Sequence, residues 1–236
     1  MWRGEVSVAG SIVKDIAFQF NPNTKRVEWN GQRLILPANH RTFLVNKPYG
    51  VICSRLNKQE RRLGKQSVFA MIEDKVEASD FDRFVSVGRL DEATTGLLIL
   101  TTDGGMVHSL ASPQAKVAKR YEVTTAHRLD DEAVQRLRAG VEIELETNGD
   151  IETYTTAPAE AAIESDGRLC LVINEGKKRQ IRRMVSAVGG EVVALHRRAI
   201  GRLDLRDHRL NQGDVLDISD QDVLALVGVD VEDKRP

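Results

Sequence analysis

Cysteine is nearly absent from this 236-residue chain. Cys53 and Cys170 are its only two, too few and too far apart for a disulfide framework, which fits a reducing cytoplasm. There is no CxxC or HExxH, and His40, His108, His127, His196 and His208 are scattered, so no metal site is expected. No apolar run approaches the roughly 18 residues that span a bilayer. Met1-Trp2-Arg3-Gly4-Glu5 contains no apolar signal core. The phosphate-cradling GxxxxGK[ST] loop and the GxSxG nucleophile elbow are both missing, and Gly104-Gly105 reads as turn chemistry. Chemistry without a cofactor is the expectation. Net charge is scarce too: 34 Lys+Arg against 35 Asp+Glu leave -1, which at face value argues against a nucleic-acid partner.

What is present is unevenly placed. With 41% hydrophobic and 29% charged residues, the chain is neither a disordered tail nor a membrane protein. From Glu175 to Arg209 ten basic residues face four acids, a net +6, and Cys53 to Gln66 carries +4. Leu210 to Pro236 carries -5. Phosphate contact needs local rather than global positive potential, so two basic segments on a neutral chain point to an anionic partner such as RNA or DNA.

Residues 4–35 read as short strands and turns, with Asn30-Gly31 as a tight-turn signal. Pro37 to Arg41 reads as a linker, giving a small N-terminal segment over residues 1–40 and a main domain over 41–236. In the main domain, strands are expected at Thr42–Asn46, Phe84–Val87, Leu97–Leu100, Tyr121–Thr125, Val141–Leu145 and Leu169–Asn174. Helices are expected from Asp103 to Leu110 and from Asp130 to Gly140. Without regular βαβ spacing, this is an α+β fold on a mostly antiparallel mixed sheet. In Lys177–Val188 the apolar Ile181, Met184, Val185 and Val188 recur at i, i+3, i+4, i+7. They predict a helix anchored by one face and presenting Lys178, Arg179, Arg182 and Arg183 elsewhere. Asp91, in Gly88-Arg89-Leu90-Asp91, is by default a capping residue between a strand and a Thr-Thr-Gly turn.

Gly88-Arg89-Leu90-Asp91-Glu92-Ala93-Thr94-Thr95-Gly96-Leu97-Leu98 with Thr101-Thr102-Asp103-Gly104 resembles the active-site motif of the RsuA-type pseudouridine synthases. Asn46-Lys47-Pro48-Tyr49-Gly50, Lys119-Arg120-Tyr121-Glu122-Val123 and Glu175-Gly176-Lys177-Lys178-Arg179-Gln180-Ile181-Arg182-Arg183-Met184 resemble further motifs of that family, in its order. The resemblance covers about Phe43 to Ile218. It implies a pseudouridine-synthase domain that converts a ribosomal RNA uridine to pseudouridine without a cofactor or metal. It implies Asp91 as catalytic carboxylate, Tyr121 stacking on the base, and Arg182 pairing with Asp91. Arg89 would hold the nucleotide out of its stack, and Lys47, Lys119, Lys177, Arg179 and Arg183 would meet phosphates. Ile200 or Leu203 would wall the base pocket.

The N-terminus departs from the family pattern, resembling only the closing β part of an S4-like RNA-binding domain. Thr94-Thr95-Gly96, Ser112-Pro113, and His196-Arg197 after Val192-Val193 look closer to the branch that acts on small-subunit (16S) RNA than to the large-subunit branch. The expectation is a cytoplasmic, monomeric isomerase of 16S ribosomal RNA. The alternative of another class is a catalytically silent ribosomal-RNA-binding or ribosome-assembly factor.

Overall fold

A computed structural model describes residues 5–15, 18, 20, 25–34, 40–147 and 149–228. Two compact units divide the chain at His40/Arg41. The first holds β1 (Val6–Val8), β2 (Ser11–Ile12), β3 (Val27–Trp29) and β4 (Gln32–Leu34) in one antiparallel sheet of order β2-β1-β3-β4. Asn30 and Gly31 both take positive φ (49° and 75°), the pair of left-handed residues that a two-residue hairpin turn needs.

The second unit carries β5 (Thr42–Lys47), β6 (Val51–Ile52), α1 (Lys58–Arg62), β7 (Gln66–Ser67), a 3₁₀ segment (Val68–Lys75) and α2 (Ala78–Phe81). It continues with β8 (Val85–Val87), β9 (Thr94–Thr101), α3 (Gly104–Ala111), β10 (Lys119–Thr125), α4 (Asp131–Ala139), β11 (Glu142–Thr147) and β12 (Asp150–Thr155). Then come β13 (Glu160–Ile163), β14 (Leu169–Ile173), α5 (Gln180–Ala187), β15 (Val192–Ile200), β16 (Leu203–Asp204), β17 (Val215–Ile218) and α6 (Asp220–Val227). The central sheet runs β13-β14-β10-β15-β9-β5-β17, with β8 paired to β9 and β16 to β15. Its pairings are antiparallel except β9 with β15. This is the mostly antiparallel α+β architecture read from the sequence.

Alternation along the strands sends side chains to two cores. Phe43, Val45, Leu98, Leu100, Tyr121, Val123 and Leu171 join Val134 and Leu137 of α4 and Ile181, Met184 and Val185 of α5. Leu44, Leu97, Ile99, Ile200 and Leu203 join Met106 and Leu110 of α3 and Val223 and Val227 of α6. Ile200 and Leu203 are therefore packing residues of the second core, not the wall of a base pocket beside Tyr121. The helix starts follow from their caps: Asp103 accepts from Gly105 N (2.8 Å) and Asp130 from Ala133 N (2.8 Å). Asp220 and Asp222 occupy the first turn of α6, where carboxylates complement the helix dipole, and Ser219 caps it. The acidic residues from 229 onward lie outside the described residues, as do residues 35–39 of the expected linker.

The basic helix is shorter than its periodicity suggested. It begins at Gln180 because Arg179 takes a left-handed conformation (φ 55°) and the Gln180 side chain accepts from Lys177 N at 2.8 Å. Lys177, Lys178 and Arg179 therefore stand on a loop ahead of α5 and are exposed. No helix among the described residues is long and apolar enough to cross a membrane.

Candidate active site

Asp91 sits in the short connection from β8 to β9, and the residues around it are fixed one by one. Leu90 donates its N–H to Cys53 Sγ and accepts the thiol on its carbonyl, both at 3.3 Å. Thr94 N closes a tight turn onto Asp91 O at 3.0 Å. Glu92 O accepts from Gly50 N (2.9 Å) and from Lys47 Nζ (3.3 Å), while the Glu92 carboxylate pairs with Lys65. Ala93 O accepts from Arg182 Nη2 at 3.0 Å. Among the described residues, the Asp91 side chain has no hydrogen-bond or ion-pair partner and is exposed. A backbone tied on both sides of a free carboxylate is preorganised for chemistry on an incoming group, since nothing must be broken before it acts.

The anchors explain the motif residues upstream. Lys47 is fully buried and spends its three ammonium hydrogens on Pro48 O (2.9 Å), Val51 O (2.6 Å) and Glu92 O (3.3 Å). Burial pushes that ammonium below the usual lysine range, while neighbouring Cys53, Glu92 and Asp91 pull it back. Lys47 is thus a scaffold for the loop, and the expected phosphate contact is corrected: no ammonium hydrogen is left for a phosphate. The basic loop after Cys53 is also partly structural. Arg55 lies between the rings of Phe69 and Phe81 (4.6 and 4.8 Å to the centroids), donates to Phe81 O and pairs with Asp82.

Arg182 does not pair with Asp91 here. Its guanidinium joins Ala93 O at 3.0 Å to Val192 O at 3.2 Å, and its buried Nε has no partner among the described residues. It binds the reactive loop through the backbone, two residues from the carboxylate. Tyr121 is 8% exposed, opposite Leu171 and Arg197 in its neighbouring strands. Its ring shares the first core with Leu90 and Ile181, the neighbours of Asp91 and Arg182 in sequence. Its hydroxyl has no hydrogen-bond partner among the described residues.

The other cations divide. Arg89, Lys177 and Arg179 are exposed, and Lys177 Nζ lies 4.7 Å from the Tyr154 ring centroid. The loop of Lys177 and Arg179 is built by Glu175, which accepts from Tyr154 OH (2.6 Å), Ala157 N (3.1 Å) and Gln180 Nε2 (2.5 Å). That hydrogen bond raises the Tyr154 phenol above its ordinary value. Arg183 is half-buried and donates to Glu144 O, tying α5 to β11. Lys119 is half-buried and donates to Val117 O at 2.9 Å; burial and then Arg197 lower its affinity for a proton. Both differ from the exposed phosphate ligands expected.

Residues with no signal in the sequence complete the site. Cys53 meets Leu90 across 37 positions, and Lys65 meets Glu92 across 27. Gly96 touches β15 so closely that an added Cβ would stand 2.2 Å from Arg197 O. No group of three or more His, Cys, Asp or Glu side chains among the described residues is placed to hold a metal.

Comparison with known proteins places this geometry. The family described as RNA pseudouridylate synthase matches residues 41–187, which contain Asp91, Tyr121 and Arg182. The ribosomal small subunit pseudouridine synthase A of Vibrio cholerae is 33% identical over 94% of this chain and 89% of its own length. The Escherichia coli protein of that name is 31% identical over 94% and 89%. The Bacillus subtilis uncharacterized RNA pseudouridine synthase YtzG is 33% identical over 94% and 88%. A crystal structure of a pseudouridylate synthase superposes with a TM-score of 0.68 at 28% identity, covering 96% of this chain and 90% of that one. The chain belongs to the RNA pseudouridylate synthase family as an RsuA-type member, an isomerase that turns uridine into pseudouridine in RNA.

Proposed function

We propose that this enzyme modifies a uridine of small-subunit (16S) ribosomal RNA in the cytoplasm, as a monomer, with Asp91 as its catalytic carboxylate. The observation that carries the reading is the Asp91 side chain, unpaired among the described residues, on a loop anchored at Leu90, Glu92 and Ala93. Isomerisation breaks the N1–C1′ bond, turns the base and joins C5 to C1′, and the C5 proton is lost as N1 gains one. Whether Asp91 adds to the ribose, adds to the base or takes a ribose proton, the step uses a carboxylate that no donor among the described residues holds. Tyr121 offers the base a ring and a hydroxyl with no partner among the described residues. Arg182 holds the loop and keeps one buried N–H unspent.

The small-subunit assignment is supported by the names of the Vibrio cholerae and Escherichia coli relatives. Carbodiimide-dependent reverse-transcription stops in ribosomal RNA from cells with and without this gene test it. One stop in 16S RNA that disappears with the gene is the expected result, and loss of a large-subunit stop instead overturns the target.

Arg89, Lys177 and Arg179 are the exposed cations that serve phosphates in this reading, around a nucleotide drawn from its stack at a cost of roughly a few kcal/mol. Arg179→Ala is expected to reduce the slope of log affinity against log salt by about one, the signature of one lost phosphate contact. Titrating the 16S transcript over a salt series reads that slope. An unchanged slope returns Arg179 to an ordinary solvated surface.

A further inference from the structure

A cleft of about 400 Å³ opens beside the reactive loop, and Asp91, Tyr121 and Arg182 are not among the residues lining it. Its wall includes Ala93, two residues after Asp91, and its rim includes Tyr49, next to the Gly50 whose N–H holds Glu92 O at 2.9 Å. Tyr49 is 70% exposed and Val193, also in the lining, is 63% exposed. Two large apolar side chains left in water around one cleft suggest a partner that covers them.

The chemistry of the cleft selects a flat neutral group rather than a phosphate. Arg168 and Glu122 both line it, but their charge is taken up in a network of ion pairs. Glu122 accepts from Arg168, Arg198 and Arg206, Arg168 also pairs with Asp166, and Arg198 also pairs with Asp204. Three guanidiniums against three carboxylates leave little potential to draw an anion. His196 is different: one ring nitrogen, Nδ1, lies 2.9 Å from Thr95 Oγ1, while the other has no partner among the described residues. Burial holds this imidazole below its ordinary proton affinity, which favours its neutral form. The cleft thus combines the Tyr49 ring and aliphatic walls with Thr95, Thr124 and His196 as hydrogen-bonding groups, beside the ion-paired Glu122 and Arg168, a make-up that suits a planar heterocycle.

We propose that the cleft receives the base of a nucleotide flanking the target uridine, stacked on Tyr49, so that Tyr49 helps select and hold the RNA. The proposal rests on Asp91 marking the reacting position, because the cleft is placed relative to that loop. Tyr49 is a stacking residue outside the chemistry, and its loss acts on substrate binding.

The test measures pseudouridine formation on a synthetic RNA carrying the mapped uridine, and on a series in which each flanking nucleotide in turn is abasic. Tyr49→Ala is expected to lower kcat/KM about 5- to 100-fold on the intact RNA, mostly through KM, the range that loss of one aromatic stack gives. Tyr49→Phe is expected to stay within about twofold, since the stacking face survives. On the RNA lacking the one base that occupies the cleft, the Tyr49→Ala effect is expected to shrink below about twofold, as a shared contact requires. Ala194→Phe, which fills the cleft from an exposed position of β15, is expected to lose activity with the same positional dependence.

A Tyr49→Ala effect that stays undiminished at every abasic position, or intact-RNA activity within twofold of wild type, overturns the proposal. Asp91→Asn is assayed alongside. If it remains active, the catalytic assignment fails while coupling at Tyr49 is still readable; if it is inactive and Tyr49 shows no coupling, the cleft alone fails.

Discussion

Asp91→Asn is expected to lower single-turnover pseudouridine formation by at least about 10³-fold while leaving fold and RNA affinity nearly intact. The substitution removes charge and basicity but almost no volume. It also removes no hydrogen bond or ion pair to another described residue: the loop is held by Cys53 at Leu90, Gly50 and Lys47 at Glu92 O, Lys65 at the Glu92 carboxylate, and Arg182 at Ala93 O. The melting temperature should therefore stay within about 2 °C of wild type, the range of a neutral surface change. Affinity for the RNA should change only a few-fold. Tritium release from RNA labelled at uridine C5 reads the chemistry, and filter binding reads the affinity. An amide variant that turns over like wild type means that the carboxylate takes no part in the reaction. One that fails to bind RNA means that it serves recognition.

The sequence carried the fold where the physics is local. The strand at Leu97 to Leu100, the helix starts at Asp103 and Asp130, and the 3.6-residue rhythm of Ile181, Met184 and Val185 each appear as read. The start of α5 did not, because it depends on how the Gln180 side chain folds back onto Lys177 N, a contact outside any periodicity. Charge misled for a similar reason. A lysine or arginine in a sequence looks like a surface cation, yet Lys47 is sealed among carbonyl oxygens and Arg55 lies between two phenyl rings. Only tertiary packing distinguishes these from Lys177 or Arg179. The candidate site was legible as a set of motifs carrying Asp91, Tyr121 and Arg182. The way its loop is held was not, since Cys53 and Lys65 reach it from distant positions. The same holds for Arg182, which joins two backbone carbonyls instead of pairing with Asp91.

The largest stability loss from a single methyl group is expected at Gly96. This residue lies in β9 opposite Arg197 of β15, in the parallel pairing at the centre of the sheet. Its φ of 110° is one that side chains rarely adopt, and an added Cβ would stand 2.2 Å from Arg197 O and 2.7 Å from Arg197 N. Those atoms are backbone, so relief requires the strand itself to move rather than a side chain to rotate. β15 also carries Val192, whose carbonyl anchors Arg182 and through it Ala93, so the displacement reaches the reactive loop. Backbone strain and overpacking together make Gly96→Ala cost about 3–5 kcal/mol. At roughly 2–4 °C per kcal/mol for a domain of this size, the melting temperature should fall by about 6–20 °C. Residual activity at low temperature should be reduced as well, since Asp91 and Arg182 lose their common frame. Gly104→Ala provides the control: its Cβ would meet nothing within 4 Å in the first turn of α3, and alanine there should be neutral or stabilise by about 0.5–1 kcal/mol. Thermal melts of the two variants separate the cases. Equal melting of Gly96→Ala and wild type would show that β9 and β15 can part without cost, and that the glycine is not what lets them approach.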